Sequence, residues 1–250
     1  MVLFRKVRNE LIRLEKFKTY FIYALGEIVL IVLGLLIAWK INDLNEIRKN
    51  RIVEVKIYKS LSQELDTNLI VLDSAIVSYT KSIQMQHNTI NYLGDQPHEL
   101  TQEAKSLIVN LNYDKTIIRN EAINSINVTS KFEFIESETL KELIAAYPND
   151  LDSFNNQQIK IEAVISDRLK PQIEKYISLM EILPTNTYSY QRVKNYGIQS
   201  NYPDLLVSRE YQNGVIDRLL QTKSQLEIAK NLRSKTKTIA TKLNQELHRP

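Results

Sequence analysis

The sequence predicts an all-α protein: an N-terminal amphipathic helix, one transmembrane helix continuing into a long helical stalk, and an antiparallel helical bundle or coiled-coil outer domain. Three observations predict it. The 250 residues include only 5 Gly and 6 Pro, the residues that most often end helices. The run from Tyr20 to Trp39 holds a single charged residue, Glu27. Downstream, apolar residues recur at alternating spacings of four and three, the pattern of a heptad seam.

The first element is the basic tail, residues 1–18. It carries Arg5, Lys6, Arg8, Arg13, Lys16 and Lys18 against Glu10 and Glu15, which accounts for the whole formal net charge of +4. Phe4, Val7, Leu11 and Leu14 fall at helical spacing among these bases. That is the pattern of a helix lying on an anionic membrane surface, with the six basic residues as its lipid contacts. The pI near 9.0 therefore reflects one end of the chain and calls for no nucleic acid.

The second element is the span, residues 19–41. At about 1.5 Å per residue, Tyr20 to Trp39 covers roughly 29 Å, close to the hydrocarbon thickness of a bilayer. Tyr20, Tyr23 and Trp39 stand at the two interfaces, where aromatic rings prefer to lie. A cleaved signal peptide would have a shorter apolar core and a small-x-small site, and "LLIAWKIND" offers none. The bases before the span place the N-terminus in the cytoplasm. The expectation is a single-pass protein of the cytoplasmic (inner) membrane, with residues 42–250 in the periplasm.

Within the span, Tyr23, Glu27, Gly34, Ala38, Ile41 and Asn45 fall on one side of a helix. Small residues let helix backbones approach, and a carboxyl group can hydrogen-bond across such a contact. Charge in a membrane is costly, so Glu27 either takes up a proton or pairs with a base on another chain. Both point to a protein partner for this face, a second copy or another membrane protein.

The outer elements follow in order. Leu65, Leu69, Leu72, Ile76, Tyr79, Ile83, Ile90 and Leu93 form the expected stalk seam, and "GDQPHE" at 94–99 ends it. An unbroken helix over 41–93 would extend roughly 80 Å. Short helices are expected over 99–111 and 114–128, then an alternating "SKFEFIES" as a short extended piece, too short for a sheet. A helix beginning at Ser137 should end near "AAYPND". Another pattern runs from Leu151 through Leu183, with a kink at Pro171. Residues 184–212 read as a loop, and the last helix covers about 214–247. Within that loop Tyr188, Tyr190, Arg192, Tyr196 and Tyr202 form a candidate partner-binding cluster, because Tyr and Arg combine apolar area with a polar tip.

Chemistry is sparse. The chain has no Cys, which excludes disulfides, thiolate metal sites and cysteine nucleophiles. His87, His98 and His248 lack partners at helical metal-binding spacing, and no phosphate-cradling or hydrolase motif is present. Glu133 with Glu136 and Glu138 with Glu142 read as solvated carboxylates near helix starts. No catalytic residue, cofactor, metal or small-molecule substrate is expected.

The segment "YALGEIVLIVLGLLIAWKINDLNE" resembles a family of uncharacterised single-span membrane proteins found mainly in Bacteroidota. That family opens its span Tyr-Ala-Ile-Gly-Glu-Ile and leaves it Ile-Asn-Asn-Trp-Asn-Glu; here Asp43 and Leu44 replace the second Asn and the Trp. "NSINVTSKFEFIESETLKELI" is similar to a second family segment, with Ser130 in place of Gly. The resemblance covers residues 1–60 well and 115–180 loosely. It implies a cytoplasmic-membrane protein of a two-membrane envelope and supplies no activity. The reading is a structural or interaction module working through helical packing. A sensory or ligand-binding outer domain and a proton-motive-force coupling subunit using Glu27 are the alternatives.

Overall fold

The computed structural model describes residues 2–94, 99–178, 180 and 197–248, with side chains for Lys18 and from Phe21 onward, Ser130 excepted. The described residues are all-α, with no strand. Helix α1 spans Val2–Ile90, α2 Gln102–Ile108, α3 Glu121–Val128, α4 Glu138–Ala163, α5 Lys170–Tyr176, α6 Tyr202–Val207 and α7 Arg209–Leu247. The chain divides into two units, 1–56 and 57–250.

The first unit is the leading part of α1. Its large apolar side chains from Phe21 to Ile52 lie exposed. This helix is long and apolar enough to cross a membrane.

The second unit is a bundle whose long helices bury heptad seams. In α1 the buried residues include Tyr58, Leu61, Leu65, Asn68, Leu72, Ala75, Tyr79, Gln86 and Thr89. In α4 they include Leu140, Ile144, Tyr147, Leu151, Phe154, Gln157, Gln158 and Ile161; in α7 they run from Tyr211 through Arg218, Gln225 and Leu232 to Leu243. Steps of four and three keep one face inward on each helix.

Cross-links between the helices fix their directions. Asp73 pairs with Arg233, and Gln86 donates to Thr222 at 3.2 Å, so α1 and α7 are antiparallel. Tyr147 donates to Thr236 at 2.9 Å, because the Thr236 hydroxyl already donates to the Leu232 carbonyl. Gln157 donates to the Gln221 carbonyl at 3.0 Å, so α4 and α7 are antiparallel too. The return from α1 to α4 makes a fourth arm. Thr89 reaches the Leu107 carbonyl, Asn68 reaches Arg119 and Glu64 reaches Ala122. The result is an up-down-up-down bundle whose second arm is only partly helical.

Several expectations need correction. Residues 110–120 are not helical, and only Glu121–Val128 of the expected 114–128 helix forms. "SKFEF" is a 3-10 turn over Ser130–Phe134, not an extended piece. Helix α4 does not end near Pro148 but passes through it. Proline removes one hydrogen bond, yet the buried stripe stays in phase from Ile144 and Tyr147 to Leu151 and Phe154, and burial wins. The pattern from Leu151 does not continue as helix to Leu183. A π-helical turn over Val164–Leu169 precedes Pro171, one of the standard accommodations of a helix to disturbance, and α5 stops at Tyr176.

The expected 184–212 loop contains α6 and the first turn of α7. Asn201 caps α6 by accepting the Asp204 N–H, and Ser208 caps α7 through the Tyr211 N–H; such caps satisfy otherwise orphaned donors. The stop at Gly94 holds: its φ is +80°, a conformation that suits glycine, and its N–H donates to the Leu206 carbonyl at 3.0 Å.

Candidate functional site

Two features stand out, one in each unit. On α1, Tyr23, Glu27, Gly34, Ala38, Ile41 and Asn45 are all exposed, and the 100° rotation per residue gathers them within a 60° sector. A Cβ built on Gly34 would meet nothing within 4 Å. Among the described residues the six side-chain positions stay exposed, which leaves this side of the helix room for another helix. Of the six tail bases, Lys18 is exposed, while the side chains of Arg5, Lys6, Arg8, Arg13 and Lys16 lie outside the described residues.

In the second unit the interior is unusually polar. Glu64, Asn68, Gln86, Gln157, Gln158, Arg218, Thr222, Gln225 and Thr236 are all buried. Much of this set serves the non-helical part of the second arm, whose backbone polar groups have no helical partners and need others. Asn68 and Gln158 each hold one residue of that arm by both backbone groups. Gln158 accepts the Thr116 N–H at 2.7 Å and donates to the Thr116 carbonyl at 3.0 Å. Glu64 accepts the Ala122 and Ile123 N–H groups at 2.7 and 3.3 Å, a remote carboxylate at the start of α3 where negative charge is favoured. Burial is the main reason its carboxyl is pushed above the usual range; the two N–H groups oppose that shift and Glu121 adds to it. Sequence spacing could not reveal this role, since 58 residues separate Glu64 from Ala122.

Arg218 is the unexpected member. It is 6% exposed and donates to the carbonyls of Asn110 and Asn112, both at 2.6 Å. Burial lowers its pKa, because removing a cation from water disfavours the charged form. No carboxylate pairs with it among the described residues. It lines a cavity of about 250 Å³ with Gln86, Tyr113, Tyr211 and an apolar wall that includes Ile108, Leu169 and Val215. Tyr211 donates to the Ile108 carbonyl at 2.7 Å, and burial pushes both the Tyr211 and Tyr113 phenols up, so they remain protonated. No motif around Arg218 in the sequence marks it as buried. The available signal was its place in the α7 seam, between Val215 and Thr222.

Of the tyrosine cluster, only Tyr202 is among the described residues. Tyr188, Tyr190, Arg192 and Tyr196 lie outside the described residues. Tyr202 opens α6 and is buried in the core beside Ile177 and Leu206, with the Lys105 ammonium 5.2 Å from its ring centre. Its ring is core, not a surface anchor. His87 and His248 are exposed, as are Glu133, Glu136, Glu138 and Glu142, and His98 lies outside the described residues. Among the described residues no group of His, Asp or Glu could hold a metal ion. No family model, curated protein or solved structure matches the chain.

Proposed function

We propose that this protein is a membrane-anchored interaction module that assembles through α1 and performs no catalysis. One observation carries the reading: an apolar helix, exposed along its whole span-length stretch, gathers Glu27, Gly34 and Ala38 on one side. In a bilayer the surrounding apolar residues meet lipid, while that side accepts a second helix through small residues and an interhelical hydrogen bond. The occupant is a second copy or another membrane protein. The basic tail sets the N-terminus on the cytoplasmic side of the inner membrane, with the bundle in the periplasm. The resemblance to single-span proteins of Bacteroidota supports the same placement.

The chain's lack of cysteine makes the test direct. Ala38→Cys and Leu36→Cys place single thiols on the packing side and the opposite side. Oxidative crosslinking in membranes should trap a dimer, or an adduct with a partner, through Ala38→Cys and little through Leu36→Cys. Equal yields at both positions would refute the packing face. A C-terminal alkaline phosphatase fusion should be active; a stable, inactive fusion would refute the orientation.

A further inference from the structure

We infer that the cavity beside Arg218 is a binding site for a small organic monocarboxylate. The inference is independent of the membrane reading, since every residue involved belongs to the 57–250 unit. It begins with charge. A guanidinium buried to 6% exposure, with no carboxylate paired to it among the described residues, is an uncompensated cation, and such groups are tolerated when something pairs with them. The carbonyls of Asn110 and Asn112 take one N–H each from the two terminal nitrogens. Arginine has five N–H donors, so three remain, and the Nε donor is buried with no partner. Gln86 adds a second buried, unpartnered atom, its Oε1. The cavity wall that holds these two side chains thus carries hydrogen-bonding capacity the protein leaves unused.

Size and lining select the ligand. A volume of about 250 Å³ falls below the roughly 300–1,000 Å³ of sites for drug-sized molecules, so the occupant is small. Lys81 and Arg218 against Asp114 leave one net positive charge in the lining, which suits a monoanion. Leu107, Leu111, Ile173 and Val215 supply an apolar wall that rewards a hydrocarbon or aromatic body and disfavours a fully hydrated dianion. A carboxylate head on the guanidinium with an apolar body against this wall satisfies both halves. Arginine's planar fork fits a carboxylate. Access lies along Lys81, Asn112 and Asp114, which are exposed.

The test uses the full chain in detergent micelles, with benzoate and isovalerate as probes, benzamide as the uncharged analogue and inorganic phosphate as the competing anion. Saturation-transfer NMR and thermal shift should show saturable binding of at least one carboxylate, with Kd below about 1 mM. Benzamide should bind at least about tenfold more weakly, and phosphate should not compete. Arg218→Lys should weaken binding by a further factor of about ten or more, because a point charge replaces a fork. Arg218 also ties the second arm to α7, so Val215→Phe provides a variant that keeps the guanidinium and fills the apolar wall. It should abolish carboxylate binding while the protein stays folded by circular dichroism. Absence of saturable binding of either carboxylate to the wild type overturns the inference. So does unchanged binding by folded Val215→Phe, or displacement of the carboxylate by phosphate.

Discussion

Asn68 grips Arg119 by both of its backbone groups: Nδ2 donates to the carbonyl at 2.8 Å, and Oδ1 accepts the N–H at 3.0 Å. Three residues earlier, Gln158 does the same to Thr116 from α4. These two amides let a stretch without secondary structure run alongside packed helices, because they supply the hydrogen bonds a helix would have made internally.

Asn68→Leu should therefore be severely destabilising. It leaves the part-buried N–H and C=O of Arg119 without their partner, at up to about 1–3 kcal/mol each. Chemical denaturation should report a loss of roughly 2–5 kcal/mol, and the Arg119 amide should exchange faster with solvent. A loss below about 1 kcal/mol would mean that water replaces the clamp.

Glu64 and Asp73 should give opposite pH dependences. The Glu64 carboxyl sits above its ordinary 4.5, chiefly through burial, so the folded state binds its proton more tightly than the unfolded chain. Its contribution is full below that ordinary value and declines as pH rises through the folded-state value. In denaturant titrations the stability of wild type minus that of Glu64→Gln should shrink as pH rises from about 4 towards neutrality. A difference that grows over this range would contradict the assignment.

Asp73 runs the other way. The Arg233 hydrogen bond lowers its carboxyl from the ordinary 3.8, so its contribution is present above that value and fades as pH falls through the folded-state one. The pair is exposed, with 54% and 39% of the two side chains accessible, so salt should screen it. Asp73→Asn should flatten the acid limb of the stability curve and change little at neutral pH in high salt.

Gly214→Ala should destabilise although alanine is the better helix former by about 1 kcal/mol. A Cβ there would lie 2.7 Å from Leu169 Cδ2 and 3.2 Å from its Cγ. Leu169 is itself buried, in the π-helical turn, so it cannot swing clear. Overpacking of this kind costs about 1–3 kcal/mol. Adding Leu169→Ala should make Gly214→Ala nearly neutral or favourable relative to Leu169→Ala alone, measured as a double-mutant cycle.

In the span, Glu27→Gln should retain self-association, because the amide still hydrogen-bonds, whereas Glu27→Leu should lose about 0.6–2 kcal/mol of it. Crosslinking yield through Ala38→Cys reads both. Loss of in vivo function in Glu27→Gln with association intact would favour proton coupling over packing.

The long helices were legible because scarcity of Gly and Pro, together with apolar spacing, acts locally. The exposed apolar helix, long enough to cross a membrane, was legible for the same reason. The seam registers were less so. An apolar search of α1 selects Leu69, Ile76 and Ile83, yet Asn68 and Ala75, one residue earlier, are buried while those three are partly exposed. Polar residues at core positions look like surface until their partners are known, and those partners lie on other helices.

By itself, then, the sequence determined an all-α chain with one helix apolar and long enough to cross a bilayer, since length, hydropathy and periodicity are properties of neighbouring residues. Tertiary structure decided the rest. It carried α4 through Pro148, because the buried stripe on both sides stayed in phase. It kept 110–120 out of a helix, because Asn68, Gln158 and Arg218 from three different helices satisfy that backbone. It also set Arg218 beside a cavity, a position fixed by where α7 meets the second arm and by nothing adjacent to residue 218.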